Sequence, residues 1–232
     1  GQTVEYSPAL GAEARERAQL LRDLRLAFDQ SRLSLVYQPQ IELAGGRVVG
    51  VEALLRWRRE DVAEVPPDRF IPVAEQSGLI VGMGNWLLQV ALLALQRFRA
   101  AGFPTLRMAV NVSSIQLRQA DFVRQVQEAL RETGSAADGL EIEITESVAV
   151  GGFEPVVGRL RLLRELGVTV AIDDFGTGYS SLAYLERLPA DRLKIDRGFM
   201  RGLTRGEHGG RIARTIIALG RELGLTVLAE GV

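Results

Sequence analysis

The sequence has no cysteine and a single histidine, His208, in 232 residues. Without cysteine there is no disulfide, no thiolate metal site and no thiol nucleophile, which fits a reducing compartment. His208 is followed by Gly209-Gly210 and preceded by Gly206-Glu207, a neighbourhood that reads as a solvated, mobile loop. A histidine placed there leaves Ser-His-Asp catalysis and His-rich metal centres without their key residue. Any metal would be held by oxygen, which suits a hard ion such as Mg²⁺ or Mn²⁺. An excess of one charge is missing as well. The 28 basic residues are matched by 29 acidic ones, with no basic stripe of the kind that DNA and RNA binders carry. No run approaches 18 uninterrupted apolar residues, so no segment reads as membrane-spanning. The N-terminus lacks both a signal-peptide pattern and a Met, so the chain reads as a piece of a longer protein.

What is present is apolar residue in quantity, 47% of the chain, enough for one sizeable core. Residues 12–30 form a charged amphipathic pattern that predicts a connector helix leading into a domain over 31–232. Strand-like runs follow at Leu33–Pro39, Val48–Leu55, Leu106–Val112, Leu140–Thr145, Val168–Ile172, Arg192–Ile195 and Thr226–Glu230. Helical patterns lie at 83–101, 115–133, 153–166, 181–187 and 209–223, several closing on a glycine, as at Gly134. This alternation predicts an α/β fold with a parallel sheet. A doubly wound sheet and a closed barrel compete. Polar residues at the ends of nearly every strand favour the barrel, where all strand ends meet at one mouth.

Those polar residues interrupt apolar strands. Glu52 and Arg56 share a face in Val48–Trp57, and mutual pairing is the plain alternative to a site. Asn111 ends one run. Glu141 and Glu143 alternate in the next, with Glu146 at its end; alternating glutamates would ordinarily mark a wet face, but a parallel sheet has both faces covered. Asp173 and Asp174 end the most apolar strand, where a helix cap is the alternative to a cation site. Lys194 and Glu230 lie on the last two strands. Carboxylates with one amide suit one or two octahedral divalent ions, and a lysine suits developing negative charge. By residue type alone, phosphodiester hydrolysis and enolase-type proton abstraction fit nearly equally.

The chain resembles the EAL domain of bacterial cyclic di-GMP phosphodiesterases from about residue 20 onward. The resemblance rests on Tyr37-Gln38-Pro39, Glu52-Ala53-Leu54-Leu55-Arg56-Trp57, Phe70-Ile71-Pro72 through Gly78-Leu79-Ile80, and Asn111-Val112-Ser113. It continues through Glu143-Ile144-Thr145-Glu146, Asp173 to Leu182 (DDFGTGYSSL), Leu193-Lys194-Ile195-Asp196 and Ala229-Glu230-Gly231-Val232. It implies a TIM-like (β/α)8 barrel that hydrolyses cyclic di-GMP to linear pGpG with two divalent ions, Mg²⁺ or Mn²⁺. Glu52, Asn111, Glu143 and Asp173 would hold one ion, and Asp173, Asp174 and Glu230 the other. Lys194 would orient or activate the water, Gln38 and Arg56 would contact substrate, and Glu146 would hold the loop 175–182. A homodimer, an upstream sensor or GGDEF domain and a cytoplasmic location for this domain are further implications. Two departures accompany the resemblance. Arg58 to Glu64 replaces a His-Pro-containing turn, which reads as a tolerated loop change. The chain also ends at Val232, before the family's last helix and strand, which reads as an early stop in this piece of sequence rather than a natural loss.

Overall fold

The computed structural model describes residues 8–59, 64–149, 153–176, 182–200 and 208–231. In chain order the elements are α1 (Pro8–Asp29), β1 (Leu33–Ile41), β2 (Val48–Trp57), α2 (Pro67–Ser77), α3 (Leu79–Ala100), β3 (Arg107–Asn111), α4 (Ser114–Leu117) and α5 (Phe122–Thr133). After them come β4 (Leu140–Thr145), α6 (Phe153–Glu165), β5 (Thr169–Phe175), α7 (Leu182–Arg187), β6 (Arg192–Ile195), α8 (Arg197–Met200), α9 (His208–Glu222) and β7 (Thr226–Ala229).

The seven strands form one sheet in sequence order. From β2 to β7 every pair is parallel, as the alternation with helices requires. β1 departs from that expectation: it pairs antiparallel with β2, Gln38 opposite Glu52. The connection between them, residues 42–47, is too short for the crossover that parallel neighbours need, so the chain turns back as a hairpin. The sheet is curled. Glu52 of β2 lies 3.2 Å from Lys194 of β6, four strands along. Gln40 of β1 likewise accepts a hydrogen bond from Arg192 of β6 at 3.2 Å. The architecture is an incomplete TIM-like barrel, with β1 and β7 at its two edges among the described residues.

Helices cover the outside. The 22-residue helix α3 is long and apolar enough to pass as a membrane span, yet its Leu88, Ala91, Leu92 and Leu95 are buried in the core beside Met108 and Leu140. α1 buries Leu24 and Ala27, sets Phe28 edge-on to Trp86, and is tied by Glu16 to Arg69 of α2 and by Asp23 to Arg59. Three expectations need correction. α2 was not among the expected helices. Pro67 starts it, where no amide hydrogen is needed, and Gly78 closes it at φ 76°. The helix expected over 115–133 is two, α4 and α5, broken at 118–121. His208 opens α9 rather than sitting in a loop. Gly134 ends α5 at φ 66°, the left-handed conformation expected of it.

Candidate active site

The interior of the curled sheet is where the alternating polar residues go. Glu141 and Glu143 are both fully buried, so their strand has no wet face. They point into the barrel, and residues two apart on facing strands build two polar layers.

The upper layer centres on Lys194, which has no solvent exposure. Its Nζ lies 2.7 Å from Glu143 Oε2, 2.8 Å from Glu230 Oε1, 3.1 Å from Asp173 Oδ2 and 3.2 Å from Glu52 Oε2. Asn111 joins them by donating Nδ2 to Glu52 Oε1 at 2.7 Å, which leaves its amide oxygen free to face a cation. Asp174 follows Asp173 at φ 51°, a left-handed conformation that is costly for a non-glycine residue. Its backbone N–H donates to Asp173 Oδ1 at 2.9 Å. Both aspartates lie within β5, so neither caps a helix.

Electrostatics follow from this crowding. Burial alone would push the Lys194 ammonium down, but Glu143, Asp173 and Glu52 outweigh it and raise it above its ordinary value, so it stays charged. Burial pushes the Glu143 carboxyl well up, and Glu52 and Asp173 push it further against the pull of Lys194. Asp174 is raised by burial and then by Asp173. Glu230 is raised by burial despite its bond to Lys194. One ammonium does not neutralise this many carboxylates.

A divalent cation fits the donors. Oxygens of Glu52, Glu143 and Asp173 come within 4.8 Å of one another, and so do those of Asp173, Asp174 and Glu230. Asp173 belongs to both groups. Glu143 Oε1 is buried with no hydrogen-bond partner among the described residues, an acceptor left for a cation. These are acidic clusters that could hold metal.

The other expected site residues surround this centre. Glu146 accepts the backbone N–H of Gly176 at 3.0 Å, fixing the start of the loop after β5; residues 177–181 of that loop lie outside the described residues. Arg56 does not pair with Glu52. Its Nε lies 2.8 Å from Glu64, at the end of the unusual Arg58 to Glu64 segment, and residues 60–63 of that segment are outside the described residues. Arg56, Asn111 and Asp174 line a cleft of about 440 Å³ together with Ile71, Met83 and Leu87. Gln38 is exposed on β1, on the same face as Glu52, and is not among the residues that line the cleft.

Sequence reasoning passed over the lower layer. Arg192 Nη1 lies 3.0 Å from Glu141 Oε2, with both side chains buried, and also bonds Gln40. The signal was present: Arg192 and Glu141 each precede a site residue, Lys194 and Glu143, by two, the strand period.

Comparisons with known proteins identify the family. The EAL domain family model matches residues 21–232. Over 98% of its length the chain is 42% identical to the bifunctional diguanylate cyclase/cyclic di-GMP phosphodiesterase MucR of Pseudomonas aeruginosa, and 43% identical to the cyclic di-GMP phosphodiesterase NbdA of the same organism. It spans 33% and 29% of the length of those relatives. The solved PaMucR phosphodiesterase in complex with c-di-GMP superposes with a TM-score of 0.87 at 43% identity, covering 92% of this chain and 87% of that one. The EAL enzyme Bd1971 in its cGMP-bound form gives 0.90 at 30% identity, covering 96% and 62%. With the acid clusters, the Glu52-Ala53-Leu54 strand and a family match across nearly the whole sequence, the chain belongs to the EAL domain family.

Proposed function

We propose that this chain is a metal-dependent phosphodiesterase that hydrolyses one 3′–5′ bond of cyclic di-GMP, adding water to give linear pGpG. The observation that carries the reading is the pair of acidic groups that share Asp173 and border the cleft lined by Arg56, Asn111 and Asp174. In this reading Glu52, Asn111, Glu143 and Asp173 hold one divalent ion, and Asp173, Asp174 and Glu230 hold a second, Mg²⁺ or Mn²⁺. Such ions, when bound, polarise the phosphoryl group and lower the pKa of water.

The remaining roles belong to the chain itself. Lys194, held charged by its carboxylate neighbours, orients the attacking water and steadies charge developing on the phosphoryl oxygens. Arg56 grips a phosphate or the guanine edge, and its planar fork suits the former. Gln38, paired across from Glu52 and on the same face of the sheet, offers an amide. Glu146 keeps Gly176, and with it the end of β5 that carries Asp173 and Asp174, in place.

A homodimer, an upstream sensor or GGDEF domain joined through α1, and a cytoplasmic location complete the proposal, with no DNA or RNA polymer as partner. The two Pseudomonas relatives, of which the chain spans about a third, support the presence of further domains.

The test is incubation of the purified chain with cyclic di-GMP and Mg²⁺ or Mn²⁺, with an EDTA control, and chromatography of the products. Metal-dependent pGpG is the expected result. Intact cyclic di-GMP that nonetheless binds would replace the enzyme with a receptor.

A further inference from the structure

The Arg56 guanidinium is held at two of its nitrogens. Nε lies 2.8 Å from Glu64 Oε1, and Nη1 donates to the backbone carbonyl of Leu55 at 2.9 Å. A guanidinium is flat and carries all its N–H donors in a fixed fork. With Nε–H and one Nη1 hydrogen committed, Nη2 and the other Nη1 hydrogen remain. They are enough for the end-on grip that takes a phosphate by two parallel bonds. The carboxylate stands behind that grip. Arg56 is among the residues that line the cleft and Glu64 is not, so a ligand in the cleft meets the arginine without displacing its partner.

The backbone brings this loop carboxylate into place. Val65 N–H donates to the carbonyl of Trp57 at 2.9 Å, and the two residues form an antiparallel bridge at the end of β2. Arg56 precedes Trp57 and Glu64 precedes Val65, so both side chains leave on the face opposite the buried Trp57 and Val65. Val65-Pro66-Pro67 follows, and each proline keeps the residue before it extended; Pro66 stands at φ −62° and ψ 140°. The short segment between the bridge and α2 is therefore stiff. The ion pair itself does little for the fold, since its side chains are 24% and 39% exposed and a pair so open to water adds little stability. We infer that Glu64 is a positioning residue for Arg56: it holds the guanidinium by Nε from outside the cleft and so aims the terminal nitrogens at a substrate phosphate. The inference rests on the proposed function, since it takes Arg56 as a phosphate contact.

Two variants separate position from charge. Glu64→Gln and Glu64→Ala both remove the negative charge, but only glutamine leaves an oxygen for Nε–H. Hydrolysis of cyclic di-GMP in Mn²⁺ is measured for the wild type and both variants, and for both variants again in the Arg56→Ala background, where Lys194 and the acid cluster keep turnover measurable. Glu64→Ala should show a kcat/KM about tenfold below that of Glu64→Gln, the factor expected from one lost hydrogen bond. Their melting temperatures should match. In the Arg56→Ala background the two should turn over alike, because no guanidinium remains to be aimed. Equal kcat/KM for Glu64→Ala and Glu64→Gln, or a difference between them that persists without Arg56, would overturn the inference and leave the proposed function standing. A wild type that leaves cyclic di-GMP intact would remove the proposed function and the inference together.

Discussion

Lys194 Nζ lies 2.7 Å from Glu143 Oε2, and neither side chain reaches solvent. The bond joins the third residue of β6 to the fourth residue of β4 across the barrel interior, and Glu52, Asp173 and Glu230 share the same ammonium. Replacing Lys194 by Met leaves these carboxylates without their cation. In EDTA the variant should lose about 3–5 kcal/mol of stability in urea unfolding, the cost of an uncompensated buried charge. Mn²⁺ should restore more of the melting temperature in the variant than it adds to the wild type. Hydrolysis at saturating metal should fall by about 10²–10⁴-fold, the scale of a lost proton-transfer or charge-stabilising group. Wild-type turnover in Lys194→Met would take the lysine out of the mechanism.

Glu52→Ala tests the metal reading with a gentler change. Lys194 keeps its other carboxylate neighbours, and removing one carboxylate relieves repulsion in the cluster. The metal-free variant should melt near the wild type while its Mn²⁺ binding weakens sharply and pGpG formation disappears. Calorimetric metal titration and product chromatography read the two effects separately.

The raised carboxyls of Glu143, Asp174 and Glu230 set a pH dependence. A carboxyl raised by burial holds its proton in the folded chain at a pH where the unfolded chain has lost it. Its contribution to stability is present below the ordinary carboxylate range, about pH 4, and is lost as pH rises through the raised value. A divalent ion takes the place of those protons, so the Mn²⁺-induced rise in melting temperature should grow from about pH 5 to about pH 8. Proton release on Mn²⁺ binding should appear as a dependence of the calorimetric enthalpy on the buffer. An Mn²⁺ effect that is flat with pH would show that the cluster is already ionised.

Beneath the site, burial raises the Glu141 carboxyl even though Arg192 and Arg107 pull it down. Desolvation therefore outweighs the ion pair, and the pair is worth more as a match than as a source of stability. Glu141→Leu alone, which strands Arg192, should cost about 3–5 kcal/mol, whereas Glu141→Leu with Arg192→Met should cost much less than the two single changes combined. Urea unfolding of the four proteins closes the cycle, and additive losses would contradict this account.

Much of the site was legible because a strand's period of two is strict. Glu52, Glu143, Asp173 and Lys194 each break an apolar run, and the structure brings these four together. The sense of β1 was not legible from that pattern, since alternation looks the same in either direction; the short segment 42–47 carried the information instead. α2 was not expected, although Pro67 stands at its first turn, where proline marks a helix start. The partner of Arg56 came from Glu64, a loop residue that no periodicity could connect to it.

α1 and α2 act as coupled parts. Glu16 holds Arg69 on α2, and two residues further along the same helix Ile71 stands in the wall of the cleft. Asp23 holds Arg59, just beyond the end of the strand that carries Glu52 and Arg56. α1 is therefore tied both to the helix that carries Ile71 and to the segment just after the strand that carries Arg56, two of the residues lining the cleft. The N-terminal helix is thus fastened at two points to the elements that carry Ile71 and Arg56.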